Sequence, residues 1–368
     1  MFIHLIRIDG NWGEGGGAIG RVALAFSTIT QKAFEISDIR KNRPVAGLKS
    51  QHLYGIKALK ELCGSIAEGD EIGSTFLRYY PRKIIAKNLD IDVETAGSAT
   101  LLMQSLMIPA MFASKPITIS ITGGTDVKWS PSFDYFINIL LPQVQRLAKI
   151  EAKLLKRGYY PKGNGKVEIK INPKFKLNDF SGFNEFHSHL KQSTHSYNLI
   201  EQHNLIQIKG ISHASQDLEK SNVAERQAKS AADILKSKYA IPVNISSEYQ
   251  NTLSTGSGIT LWAVFSKNKD DIDENNPIRL GSDSLGERGK SSENVGEEAA
   301  NALIGEIESK AAVDRHLADQ ILPFLLLAGG KISASEITNH CKTNIYTIEQ
   351  FFGKVFEVDE ENNIVMVN

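Results

Sequence analysis

Apolar and polar positions along the chain follow two spacings, one typical of helices and one typical of strands. Residues 47–62 carry leucine and isoleucine at helical spacing, with lysines between them, which predicts a helix. Residues 116–122 alternate between apolar and polar side chains, which predicts a strand. Further helices are predicted over 21–30, 98–112, 132–150 and 223–239, and further strands over 2–8, 167–171, 205–211 and 259–265. This mixed order indicates an α+β protein.

Similar stretches recur along the chain. Small-residue loops at 13–20, 96–98 and 281–289 each lead into a long predicted helix. Residues 134–142 also resemble residues 314–323, because each segment runs from an aspartate to a Leu-Pro pair within a helix. These similarities predict repeated αβ units that pack their helices on one face of each sheet.

The segment from 182 to 277 differs in character from the rest of the chain. It begins with a polar stretch that carries several histidines and ends with a run rich in aspartate and asparagine. A strand, a helix and a second strand are predicted between these polar ends. The sequence therefore predicts a small αβ domain at 182–277, inserted into a larger domain formed by 1–181 and 278–368.

The amino-acid composition excludes some classes of protein. The 42 basic residues balance the 42 acidic residues, which excludes an overall basic coat for nucleic acid but leaves a local basic patch open. The two cysteines, Cys63 and Cys341, lie far apart, which argues against a disulfide framework and a cysteine zinc site. We therefore expect a reducing, cytoplasmic location. No targeting segment or membrane span is predicted.

The glycine-rich segment at 10–21 is the first candidate site. Glycines between a strand and a helix let backbone N–H groups converge on an anion, and the helix N-terminus adds positive potential. Residues 15–20 match the G-x-G-x-x-G pattern, so a dinucleotide-binding fold is one alternative. Glu14 would repel a diphosphate there unless a cation lay between them, which favours a divalent metal ligand. A tight turn with an exposed glutamate is the structural alternative.

Two further segments carry candidate chemistry. Residues 40–52 hold four basic side chains and His52, a pattern that suits phosphate oxygens, although a solvated basic loop is the alternative. His316 is predicted in the first turn of a helix with Asp314 as a candidate N-cap, where it would stay neutral and nucleophilic. A buried core histidine is the alternative there. Gln104 interrupts an apolar helix and needs a hydrogen-bond partner if it is buried.

Together these segments resemble one family, the RNA 3′-terminal phosphate cyclases. The similarity covers almost the whole chain, and the matching blocks occur in the family's order. They are 10–21 (GNWGEGGGAIGR), 40–52 (RKNRPVAGLKSQH), 95–104 (TAGSATLLMQ), 123–126 (GGTD), 224–227 (AERQ), 256–262 (GSGITLW), 285–290 (LGERGK), 313–320 (VDRHLADQ) and 336–344 (EITNHCKTN).

The resemblance implies a fold and a reaction. The fold would be α+β, with three repeated units of a four-stranded sheet and two helices, similar to the C-terminal domain of translation initiation factor three, plus a smaller inserted αβ domain. The reaction would be a ligase-type nucleotidyl transfer, in which ATP and Mg²⁺ or Mn²⁺ convert an RNA 3′-phosphate into a 2′,3′-cyclic phosphodiester. It would proceed through a histidine–AMP intermediate and an RNA–adenylate anhydride.

The resemblance also implies roles for individual residues. His316 would be the nucleophile that takes AMP, and Glu14 the metal ligand. The nucleotide would contact Gln104, Lys290, Ser291, Ser292 and Glu293, although Ser291 and Ser292 depart from the commonest family sequence. The substrate phosphate would contact Arg21, Arg40, Arg43, Gln51 and His52.

Alternatives to this enzyme remain. A related branch of the family lacks the histidine and acts as a non-catalytic ribosome-assembly factor, whereas this chain has His316. The enolpyruvyl transferases share the repeat architecture but not the histidine, and they are the second alternative. The expected partner is RNA with a 3′-phosphate end, and a homodimer is left open.

Overall fold

The computed structural model describes residues 5–268 and 272–367. These residues form four separate four-stranded sheets. The predicted strand at 2–8 lies partly outside the described residues, since residues 2–4 are not among them, and its described part is β1 (Ile6–Asp9). No helix within these two ranges is long and apolar enough to cross a membrane.

The first repeat has the element order βαβαββ. It contains β1, α1 (Ala18–Thr30), β2 (Phe34–Ser37), α2 (Ser50–Cys63), β3 (Ile66–Glu68) and β4 (Leu77–Tyr80). The strands lie in the order β1-β2-β4-β3, with β1 and β2 parallel and the other neighbours antiparallel. Alternate residues of β1 and β2 are buried, because the helices cover only one face of the sheet.

The second repeat follows the same order. It contains β5 (Leu89–Asp92), α3 (Ala99–Met111), β6 (Ile117–Gly123), α4 (Phe133–Tyr135), a π-helical turn (Phe136–Leu140), α5 (Leu141–Val144), β7 (Ala148–Lys156) and β8 (Gly165–Pro173). The sheet order is β5-β6-β8-β7.

One helix prediction in this repeat was too long. Ser132 is the N-cap, but the helical segment ends at Val144 rather than at 150. Ala148 and Ile150 are buried while Lys149 and Glu151 are exposed, which is the alternation of a strand with one buried face. The strand therefore begins within the predicted helix.

The third repeat is interrupted by the fourth sheet. After α6 (Phe183–Ser193) and β9 (Tyr197–Leu199), the chain forms β10 (Asn204–Ser215), α7 (Val223–Lys238), β11 (Val243–Gln250), β12 (Ser257–Ser266), β13 (Ile278–Leu285) and α8 (Ser292–Glu308). This fourth sheet has the order β11-β10-β12-β13, and α7 and α8 pack together beside it.

The chain then completes the repeat that β9 began. It forms α9 (Arg315–Ala328), β14 (Gly330–Ser333), α10 (Asn339–Phe352), β15 (Phe356–Asp359) and β16 (Ile364–Val367). β9 pairs in parallel with β14, and the sheet order β9-β14-β16-β15 is the same as in the first two repeats. The chain thus contains three βαβαββ repeats, as the resemblance implies, with an inserted αβ unit in the third.

These pairings suggest different ends for the inserted domain. β9, which lies after 182, belongs to the third repeat, whereas β13, which lies after 277, pairs with β12 in the inserted sheet. We therefore propose that the inserted domain runs from about 204 to 308 rather than from 182 to 277. The reason is that hydrogen-bonded strands must share a sheet, whereas the polar composition at 182–203 does not show which sheet its strand joins.

The helices of different repeats meet at the centre of the molecule. α1 packs against both α3 and α10, and α2 packs against α3. Ten of the thirteen residues of α1 are buried, so this helix lies in the common core. The glycine loop before α1 consequently lies against α10, where Glu14 is 3.0 Å from His340.

A buried charged cluster joins the second repeat to the inserted sheet. Arg157, which is 1% exposed, donates hydrogen bonds to Asp126 and Asp134 of the second repeat and to Glu248 of β11. Nε2 of His213, on β10, lies 3.3 Å from Oδ1 of Asp126. The guanidinium thus occupies the space between the carboxylates, and the cluster fastens the two units together.

Candidate functional site

The glycine loop forms a cradle at the start of α1. Gly13 and Gly15 adopt positive φ angles of 59° and 55°, which favour glycine. α1 begins at Ala18 with Gly17 as its N-cap, so no side chain caps its first N–H groups. Uncapped N–H groups at a helix N-terminus bind anions. The predicted glycine loop before a helix is therefore present, although the helix begins three residues earlier than predicted, and anion binding there stays a prediction.

The Glu14 carboxylate contacts two side chains that carry N–H groups, an arginine and a histidine. Its Oε2 is 3.1 Å from Nη2 of Arg43 and 3.0 Å from Nε2 of His340. The Glu14 side chain is 25% exposed, so it lines the site without being enclosed. The contact between Glu14 and Arg43 was not predicted from the sequence, and His340 was missed as a site residue. The only signal for it was its position within the block at 336–344.

Arg21 and Gln104 contact each other directly. Nε of Arg21 donates a hydrogen bond of 2.7 Å to Oε1 of Gln104, which supplies the partner that the amide needs within the apolar helix α3. Burial lowers the pKa of Arg21 to about 10, with a smaller lowering from Arg40 and an opposing effect of Asp319. Arg21 therefore remains charged at neutral pH and presents a buried cation to the site.

His52 is a neutral hydrogen-bond donor. Its Nδ1 accepts a hydrogen bond of 3.0 Å from the backbone N–H of Lys49, so the ring hydrogen is on Nε2. Burial, together with the positive charges of Arg21 and Arg40, lowers the pKa of His52 to about 3. Nε2 is buried without a partner in the described parts of the chain. A Cβ on Gly17 would lie only 2.2 Å from it, so His52 requires a glycine there.

Arg40 and Arg43 also have unused donors. The Nε atoms of both are buried and lack a hydrogen-bond partner within 5–268 and 272–367. Arg40 keeps one contact to its own loop, from Nη2 to the Val45 carbonyl at 3.3 Å. Burial lowers the pKa of Arg40, and repulsion from Arg43 adds to this effect. Unpaired donors on mutually repelling cations attract an anion such as phosphate.

Gln51 links this cluster to the second repeat. Its Oε1 accepts a hydrogen bond of 3.2 Å from the backbone N–H of Ser98, the N-cap of α3. The side chain therefore lies at the junction between α2 and α3. Its position is consistent with a contact to a ligand at the start of α3, and that role stays a prediction.

The position of His316 is set by Asp314. Oδ1 of Asp314 accepts hydrogen bonds of 2.9 Å from the backbone N–H groups of His316 and Leu317, so Asp314 is the N-cap of α9, as predicted. The same carboxylate accepts from the Tyr135 hydroxyl at 2.6 Å and from the Gly281 N–H at 2.8 Å. These bonds tie the start of α9 to the second repeat and to β13.

Two buried carboxyl groups act electrostatically on His316. Burial raises the pKa of Asp319 to about 7 and that of Asp283 to about 6, and the charge of His316 opposes both shifts. His316 also contributes to the lowering of the His340 pKa, which places all of these groups within reach of one another's charge. Asp319 lies three residues after His316 in α9, so the two share one face of the helix. Asp283 was missed, because nothing in its strand distinguishes it locally.

The predicted nucleotide loop lies apart from these contacts. Lys290 pairs with Glu298, Ser291 caps α8, and the Glu293 carboxylate accepts two hydrogen bonds from Arg226, at 2.7 and 2.8 Å. Ser292 is buried in the first turn of α8. Among the described residues, no hydrogen bond or ion pair joins 290–293 to Glu14 or His316. The preceding residues approach the second repeat through Glu287, which is 2.8 Å from Lys128.

Comparison with known proteins gives a consistent result. The family model described as RNA 3′-terminal phosphate cyclase matches residues 12–358. An RNA 3′-terminal phosphate cyclase of Thermococcus onnurineus is 43% identical over 360 residues, which cover 98% of this chain and 97% of the relative. The protein of that name from Archaeoglobus fulgidus is 41% identical over 365 residues, 98% and 100% of the two chains. That from Saccharolobus solfataricus is 43% identical over 358 residues, 96% of each.

Proposed function

The chain belongs to the RNA 3′-terminal phosphate cyclase family, and on this basis we propose that it uses ATP to convert an RNA 3′-phosphate into a 2′,3′-cyclic phosphodiester. The observation that carries this proposal is the family match over residues 12–358, which includes every residue to which a role in the site is assigned, from Glu14 to His316. The structure agrees with a site for phosphates, because the cations Arg21 and Arg43 lie beside the glycine loop that carries Glu14.

The first proposed step is self-adenylation of His316. Nε2 of its imidazole attacks the α-phosphorus of ATP, a P–N bond forms, and the bond to pyrophosphate breaks. The Asp314 cap holds the backbone at this position, and the ring faces the Tyr135 ring edge at a centroid distance of 6.4 Å. The carboxyl groups of Asp283 and Asp319 would stabilise the positive charge that the ring gains when it carries AMP.

The later steps transfer AMP and close the ring. An oxygen of the RNA 3′-phosphate attacks the AMP phosphorus, and the P–N bond to His316 breaks. The neighbouring 2′-OH then attacks the activated 3′-phosphorus, loses its proton, and displaces AMP. Because nucleophile and phosphorus belong to the same ribose, this last step benefits strongly from proximity.

The phosphate groups would be held by the basic cluster. Arg40, Arg43 and His52 have donors without partners in the described part of the chain, and Arg21 remains charged. We assign the RNA phosphate to these residues and to Gln51. The nucleotide would contact Gln104 and residues 290–293, as the family resemblance implies.

A divalent cation fits beside Glu14. Mg²⁺ in nucleotide sites is bound by one or two carboxylates together with phosphates and water, and Glu14 offers one carboxylate next to the glycine cradle. Two donors occupy Oε2 of Glu14, which leaves its Oε1 for a cation. Glu14 would hold Mg²⁺ or Mn²⁺, which would neutralise charge on the ATP phosphates.

The oligomeric state and the cellular location are separate from the reaction. Cys63 and Cys341 are both free and buried, in agreement with a reducing cytoplasm. Sedimentation analysis would decide whether the chain forms a homodimer.

The function itself is tested with RNA that carries a labelled 3′-phosphate. Incubation with ATP and Mg²⁺ or Mn²⁺ should make the label resistant to phosphatase, and mild acid should restore its sensitivity by opening the cyclic ester. Omission of ATP is the control. A non-catalytic ribosome-assembly factor would leave the label sensitive throughout and would not become labelled by α-labelled ATP.

A further inference from the structure

Trp12 is a partly exposed tryptophan in the glycine loop, two residues before Glu14. It is 37% exposed, whereas Trp262 in β12 is 7% exposed. Its ring stacks on the ring of Tyr346 in α10, with centroids 4.4 Å apart and planes inclined by 7°. One face of the indole is therefore covered by a parallel aromatic ring, while part of the ring remains accessible to a ligand.

The stacked pair is held firmly from both sides. The Trp12 N–H donates to the Asp9 carbonyl at 3.3 Å, and the Trp12 carbonyl accepts from the Gly15 N–H at 3.0 Å, so the backbone forms a tight turn. The Tyr346 hydroxyl accepts a hydrogen bond of 3.1 Å from the Asp9 N–H. The ring pair is thus fixed relative to the end of β1.

The loop follows one face of α10 residue by residue. Trp12 stacks on Tyr346, a Cβ on Gly13 would lie 2.6 Å from Oγ1 of Thr343, and Glu14 contacts His340. The three helix residues are each three positions apart and so share one face. This pairing sets the distance between the Trp12 ring and the Glu14 carboxylate, and therefore the distance between any stacked group and a phosphate in the cradle.

We propose that the Trp12–Tyr346 pair is a stacking platform for a nucleobase of the substrate. This inference rests on the proposed function. A flat, rigid aromatic surface beside a cluster of arginines is the combination by which proteins hold single-stranded nucleic acid, since every base offers a π face and every linkage a phosphate. The base belongs to the 3′ end of the RNA, because Arg43, whose Nε donor is unused, contacts Glu14 two residues after Trp12 in the same loop.

The test measures RNA binding rather than catalysis. Two RNAs with a 3′-phosphate are compared, one intact and one in which a single nucleotide near the 3′ end is abasic. Their Kd values are measured for the wild type and for Trp12→Leu, which keeps apolar contact with Tyr346 but has no aromatic face. Loss of the base should weaken wild-type binding about five- to 150-fold, the range for one stacked base.

The decisive quantity is the coupling between the two changes. Trp12→Leu should weaken the binding of intact RNA by the same factor as the loss of the base. The variant should also bind intact and abasic RNA with equal Kd values, because the stacking contact is already lost. Trp12→Phe should restore most of the discrimination. Tyr160→Leu, which removes another exposed aromatic ring, should discriminate as the wild type does.

A second set of measurements compares the Kd values of ATP and of inorganic tripolyphosphate, which has the phosphates but no base, for the wild type and for Trp12→Leu. Coupling between Trp12 and the base of ATP, without coupling to RNA, would assign the platform to the nucleotide. Additive effects in both arms would overturn the proposal. If the wild type did not make the 3′-phosphate of intact RNA resistant to phosphatase, the proposed function would be contradicted. The Kd comparison could still be interpreted, because it does not depend on catalysis.

Discussion

Oε2 of Glu14, in the first repeat, lies 3.0 Å from Nε2 of His340, in the third. Burial lowers the pKa of His340, and the positive charges of Arg21 and Arg43 add to this effect, while Glu14 opposes it. His340 therefore faces Glu14 as a neutral N–H donor at neutral pH. Together with Arg43 it orients the carboxylate, so the geometry of the expected cation site depends on α10 as well as on the glycine loop.

Glu14→Gln should raise the metal concentration required for half-maximal self-adenylation by roughly ten- to hundredfold, because a charged ligand worth about 1.5–3 kcal/mol is lost. The measurement is labelling with α-labelled ATP across a metal titration. Glu297→Gln, a change at an exposed glutamate of α8, is the matched control. An unchanged metal midpoint would show that Glu14 only orders the loop.

His316→Ala should abolish labelling by α-labelled ATP while the protein stays folded. The fold should persist because Asp314 binds the backbone N–H of residue 316 rather than its side chain. Labelling is measured after denaturing gel separation, and circular dichroism checks the fold. His195→Ala, a change at an exposed histidine, should label fully. Labelling of His316→Ala at the wild-type level would disprove the assignment.

Arg40→Ala should spare self-adenylation and slow transfer of AMP to RNA by roughly ten- to hundredfold, the loss expected for one charged phosphate contact. A single-turnover chase of pre-adenylated protein with 3′-phosphate RNA measures the transfer. Lys41→Ala removes a neighbouring charge, but Lys41 pairs with Asp38 in solvent, so this control should transfer normally. If Arg40→Ala and Lys41→Ala both transferred AMP to RNA at the wild-type rate, the solvated-loop interpretation of residues 40–52 would be favoured.

Asp319 should make the protein less stable as the pH rises. Burial raises its pKa to about 7, above the ordinary value near 4 of an unfolded chain. Between these values the folded state binds more protons than the unfolded state, so the free energy of unfolding falls as the pH rises through this window and is lowest above pH 7. Asp319→Asn should make this fall in stability smaller, while the contribution of Asp283, whose pKa is raised to about 6, remains.

The measurement is Tm from about pH 4 to about pH 8, compared between wild type and variant. Asp233→Asn, a change at an exposed aspartate of α7, should keep the wild-type profile. Parallel profiles for Asp319→Asn and wild type would show that this carboxyl titrates normally in the folded protein.

Local patterns along the chain determined much of this molecule. The glycine loop, the N-cap at Asp314 and the strand–helix order can be predicted because each depends on a few neighbouring residues and on the periodicity of burial. The resemblance to the cyclase family also rests on short blocks that are read independently of one another. These features survive in the structure because local geometry favours the same elements that the core requires.

Tertiary structure decided which of these elements meet. His340 reaches Glu14, and Tyr346 reaches Trp12, only because α10 packs against α1 across two repeats. The strand at Ala148 and the sheet that β13 completes were likewise decided by long-range hydrogen bonding, which polar composition and helical spacing do not encode. Contacts between distant segments depend on the burial of whole faces, and no local pattern specifies which faces will pair.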